Sequence, residues 1–184
     1  MNHLFFVFGA SLLVVALTGA AAQQYLRSRR SSDATWEDLL GRLEPIDREK
    51  IATVALDVIA ENGERRQSDD AYSLEPEAIW QLLGGLEGLE AMERNCRVLV
   101  ELAAYVQRWH PEAVVVAEQL RLNAREIEWH VSRLTGAAQT GNLQATFADY
   151  AQRAVAIYYM MTRHVLDLYE QVSFPELTQL RQAI

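Results

Sequence analysis

The sequence predicts an all-α protein: an N-terminal single transmembrane helix followed by a helical bundle of about four main helices. Three observations predict it. Residues 4–22 are apolar and carry no charge. From residue 46 onward, apolar side chains recur at intervals of three and four, the period of an amphipathic helix. No stretch alternates apolar and polar residues as a half-buried strand does.

The N-terminal run reads LFFVFGASLLVVALTGAAA. A bilayer core takes about 20 apolar residues in a helix rising ~1.5 Å per residue, and this run meets that length. Leu4, Phe5, Phe6, Phe8, Leu12, Leu13, Val14, Val15 and Leu17 supply the bulk of the anchor. Only Met-Asn-His precedes it, whereas Arg27, Arg29 and Arg30 follow it. Positive flanks stay on the cytoplasmic side, so the expected topology is N-terminus out, with everything after Tyr25 inside. The alternative is a secretory signal cleaved after Ala22, which exports the domain that follows. Ala20-Ala21-Ala22 satisfies the small-residue rule for cleavage, and residues 12–17 suit an apolar signal core. Two features favour the uncleaved anchor: no Lys or Arg precedes the run, and the arginine cluster behind it opposes translocation.

The chain divides into an anchor at residues 1–25, a basic and polar linker with a short helix at 26–45, and a bundle domain at 46–184. Taking the three flank arginines from the 17 basic residues leaves 14 against 25 acids, a balance of −11. Nucleic-acid binding calls for a basic face, so that class is excluded. Anionic lipid repels such a domain, while each flank arginine near the surface favours that lipid by ~1 kcal/mol. The single cysteine, Cys96, rules out an internal disulfide and a Cys-based zinc site; it is expected as a small buried residue.

The helices follow in order. Residues 36–43 form a brief helix ended by Pro45. Residues 46–62 form the first firm one, with Ile51, Val54, Ala55, Val58 and Ile59 on one stripe, acids in the first turn and Gly63 past the end. Residues 64–72 are charged and aperiodic, a loop. A second helical region opens with Pro76 in its first turn, and Gly84, Gly85 and Gly88 are expected to break or kink it. Leu89, Met92, Cys96, Leu99, Ala103 and Val106 then keep an unbroken period until Trp109-His110-Pro111 stops the helix. The next helix has its seam at Ala113, Ala117, Leu120, Ala124, Ile127, Val131 and Leu134, with Gly136 after its end. The longest, residues 142–172, has its seam at Leu143, Phe147, Tyr150, Ala154, Ile157, Met161, His164 and Leu168. It is apolar most of the way round, which marks the central helix. Short connections imply antiparallel neighbours.

No phosphate loop, dinucleotide fingerprint or nucleophile elbow occurs. The Glu-x-x-His pairs of a di-iron bundle are absent, because Ile127 and Met161 stand three residues before His130 and His164. Antiparallel packing places residue 130 level with about residue 147, so His130 and His164 stand ~25 Å apart and cannot share a site. Glu126 and His130 suit a surface contact one helical turn apart. The one grouping with the makings of a site is His110, His164 and Asp167 at one bundle end, and it lacks a full ligand set. Tyr158-Tyr159-Met160-Met161 is expected as core rather than a ligand box.

One feature of residues 111–134 points to binding. Val115, Leu122 and Trp129 lie about 180° from the main seam and repeat every seven residues, bordered by Glu118, Arg125, Glu126 and Arg133. The stripe either packs under the helix at 46–62 or meets a protein partner or a second copy, as a Trp with a charged rim does at interfaces. The expected function is a non-enzymatic interaction or assembly module at the cytoplasmic face of a membrane, needing no cofactor or metal. The alternatives are the exported domain and a ligand- or metal-binding bundle enzyme.

Overall fold

The computed structural model describes residues 34–59 and 74–184. The predicted span at residues 4–22, the flank at Arg27, Arg29 and Arg30, and the loop at 64–72 lie outside the described residues. Among the described residues, no helix is long and apolar enough to cross a membrane. The fold there is all-α and forms one unit, Trp36–Ile184. Its helices are α1 (Trp36–Gly41), α2 (Arg48–Val58), α3 (Pro76–Leu83), α4 (Gly85–Val106), α5 (Ala113–Gln139), α6 (Leu143–Gln171) and α7 (Leu177–Ala183). Three of these, α4, α5 and α6, are long, and four, α1, α2, α3 and α7, are short, where about four main helices were expected.

Each helix boundary has a local cause. Asp47 caps α2: its Oδ1 accepts the Lys50 N–H at 3.3 Å. This helix ends at Val58, short of the predicted residue 62, because Ile59 turns extended (φ −95°, ψ 127°). The break expected at the glycines is real. Gly84 and Gly85 adopt φ +73° and +70°, a conformation costly for residues with a Cβ. Gly88 is needed for close approach, since a Cβ there would sit 1.8 Å from the Leu83 carbonyl oxygen. By contrast, Gly136 does not end α5. The helix runs on to Gln139 and is closed by the Asn142 N–H bonding to the Ala137 carbonyl and the Gly141 N–H to that of Ala138. The same pair of bonds ends α6, from Phe174 N–H to Tyr169 O and from Ser173 N–H to Glu170 O, with Ser173 at φ 52°.

As expected, α6 is the central helix; it packs against α2, α3, α4, α5 and α7. The α4 seam is buried throughout. On α5 every predicted seam residue is buried except the half-buried Ala124. Of the predicted α6 seam, Phe147, Ala154, Met161 and Leu168 are buried, while Leu143, Tyr150, Ile157 and His164 are half-buried. Ala151, Gln152, Val155, Tyr158, Val165 and Tyr169, off that seam, are buried as well. Five neighbours surround this helix, so its buried arc is wider than one stripe. Two polar anchors join the supports to the core. Asn95 brackets Glu44, accepting its backbone N–H at 2.8 Å and donating to its carbonyl at 2.9 Å. Asp57 accepts from the Leu74 N–H and from the Gln152 amide, both at 3.2 Å.

Candidate interaction surface

Two faces of α5 differ sharply. Ala113, Ala117, Leu120, Ile127, Val131 and Leu134 are buried against α4 and α6. On the opposite side Val115, Leu122 and Trp129 are 72%, 59% and 50% exposed. The helix at residues 46–62 was one predicted cover for this stripe. It does not serve, because α2 packs on α6 and α3 instead. The α2 helix is only 11 residues long, and the Asp57–Gln152 bond fixes it on α6.

The stripe is regular. Its members stand ~10.5 Å apart along the axis, one per two turns. Trp129 is the most structured of them. Its ring meets Tyr150 edge-on at 5.7 Å and His130 at 4.9 Å, and the Arg133 guanidinium lies 5.3 Å from its centre. Along the rim, Arg121 pairs with Glu118, and the Gln119 amide donates to Asn123 at 3.1 Å. His130 itself is buried, with its Nε2 3.7 Å from Glu126 and its ring 5.6 Å from Tyr150, near the predicted antiparallel register.

The other candidates resolve differently. His110 and His164 are half-buried and Asp167 is exposed. Among the described residues no three His, Cys, Asp or Glu side chains come together in a way that holds a metal ion. Tyr158 and Met161 are core, while Tyr159 and Met160 are half-buried, so the four do not line one box. Cys96 is buried, and burial pushes its thiol well above the ordinary range, leaving no reactive thiolate at neutral pH.

Sequence reasoning missed one concavity. A groove of about 670 Å³ lies between α4 and α5, lined by Glu90, Glu93, Arg94, Arg97, Glu128 and Ser132 among others. Its arginines are matched within the chain: Arg94 binds Glu44 through two nitrogens, and Arg97 binds Glu93 at 2.7 Å. Comparison with known proteins returns no match: no family model, no curated protein and no solved structure is significantly similar to this chain.

Proposed function

We propose that this chain is a non-enzymatic assembly module: a helical bundle anchored by residues 4–22 at the cytoplasmic face of a membrane. It binds a protein partner, another copy of the chain included, through Val115, Leu122 and Trp129. The observation that carries this reading is the exposed stripe on α5, which no described helix of the chain covers. Three apolar side chains in one row, one of them a Trp under an arginine and bordered by charged residues, have the make-up of a small interface centre with a polar rim. The uncharged run and its one-sided arginine flank supply the membrane half of the proposal.

The test is Trp129→Glu in the full-length chain held in mild detergent. Trp129 is half exposed, so helicity and melting temperature should barely move. Self-association, read by cross-linking and mass, or capture of a purified partner should weaken about 30-fold or more, the loss of an interface anchor. A variant that melts far below the parent, or one that assembles as before, overturns the assignment to this face.

A further inference from the structure

The exposed stripe on α5 has two polar borders, and the order of residues along them selects a partner. Three residues beyond each stripe member, one border reads Glu118, Arg125, Ser132. Four residues beyond, the opposite border reads Gln119, Glu126, Arg133, with Glu112 three residues before Val115. All of these side chains are exposed. Leu122 stands midway along the stripe, with Val115 seven residues before it and Trp129 seven after.

We propose that the stripe binds a second copy of this chain, α5 against α5, antiparallel about a two-fold axis at Leu122. The inference rests on the reading of this face as an interface, given above, and names its partner. A two-fold interface must be complementary to itself. About that axis Leu122 meets Leu122, and the large Trp129 meets the smaller Val115 of the other copy, twice. Each border meets the same border running the other way. Glu118 then lies within ~1.5 Å, measured along the helix axis, of the level of Arg125 in the second copy. Glu112 reaches the level of Arg133 in the same way, and Gln119 that of Glu126. Each of these pairings joins a donor to a carboxylate and occurs twice. A parallel pair is less well matched. It sets Trp129 on Trp129 and Val115 on Val115, and of the border charges it brings only Arg125 and Glu126 together. The charge balance also favours a copy at this place. Residues after the arginine flank carry −11, so copies repel one another in general. Beside the stripe, Glu112, Glu118 and Glu126 are offset by Arg121, Arg125 and Arg133.

The experiment uses the full-length chain in mild detergent, with protein mass read by sedimentation over a concentration series. Glu118→Arg sets arginine against arginine at two places in the dimer, and Arg125→Glu sets acid against acid. Each variant should associate about 10-fold or more weakly, because two exposed ion pairs become two repulsions. An equimolar mixture of the two variants pairs Arg with Glu at both places and should associate within about threefold of the parent. Both positions are exposed, so helicity should match the parent's, and recovery in the mixture excludes misfolding. A parent that stays monomeric, variants that each associate as the parent does, or a mixture that does not recover overturns the proposal. Trp129→Glu, measured alongside, separates the failures. Loss of self-association there, with the charge variants unaffected, keeps the stripe as an interface and refutes the antiparallel copy alone. A monomeric parent whose Trp129→Glu variant loses a purified partner does the same. Self-association that Trp129→Glu leaves intact refutes the face and this inference together.

Discussion

Asn95 sits on α4 with 1% of its surface exposed, and its side chain makes three hydrogen bonds, to the α1–α2 connection and to α6. It holds both backbone groups of Glu44 and donates to the Tyr158 hydroxyl at 3.3 Å. Burial of that phenol pushes its ionisation well above the ordinary range, so it remains a neutral partner at any working pH. Glu44 is held a second time, by Arg94, but that pair is exposed and screened by solvent and salt. The buried amide is therefore the stronger fastening of the α1–α2 connection. Asn95→Ala leaves a backbone donor and an acceptor without partners in a partly buried place. The expected cost is about 3 kcal/mol, read as a fall in the denaturation midpoint without a change of slope. Tyr158→Phe loses one long bond and should cost about 1 kcal/mol. Equal costs for the two variants would mean that Asn95 acts through Tyr158 rather than through Glu44.

At the scale of the element, α2 offers a pH test. The Asp47 carboxylate caps the helix, and its bond from the Lys50 N–H, with the Lys50 ammonium 3.2 Å away, holds its pKa below the ordinary carboxylate value. A depressed pKa in the folded state means stability that is present above the unfolded pKa and lost as pH falls through the folded one. Asp47→Ala should thus melt below the parent at neutral pH, and the two melting curves should converge in acid, once pH has fallen below the ordinary carboxylate range and through the lowered folded-state pKa. Persistence of the gap in acid would show that the cap acts by shape rather than charge. The elements also show what a sequence can and cannot disclose. The α4 seam from Leu89 to Val106 was legible because an unbroken three-and-four spacing admits one buried face. The break before it was legible because Gly84 and Gly85 stand together. Gly136 misled because a lone glycine inside a helix is only weakly unfavourable, and the closing bonds belong to Gly141 and Asn142. The full width of the buried face of α6 was not legible, since periodicity does not say how many neighbours a helix has. The same limit applies to the α5 stripe. Its residues were readable from their angles, but their exposure depended on where α2 packs, and the Asp57–Gln152 bond that places α2 joins residues 95 positions apart.

For the whole molecule, charge and hydrophobicity together make the proposed orientation testable. Residues after the arginine flank carry a balance of −11. Acidic residues contribute little to topology, so in the proposed reading the decision falls to Arg27, Arg29 and Arg30, close behind the apolar run. The proposed outcome is an anchor inserted N-terminus out, with Trp36–Ile184 kept inside. Each part of this has its own readout. High-pH extraction should leave the chain in the membrane fraction, because a 19-residue apolar run is held by burial and not by charge. An impermeant protease added to intact cells should leave the helical unit uncut, and detergent should make it accessible. Replacing all three flank arginines by Gln should remove the retention signal and give a mixed population, part protected and part cleaved. The rival outcome is equally definite. A mature chain beginning at Gln23 and recovered outside the cell would make residues 4–22 a signal peptide. The α5 stripe would then have to find its partner in the exported space. N-terminal sequencing of the protein purified from its own cells decides between these outcomes.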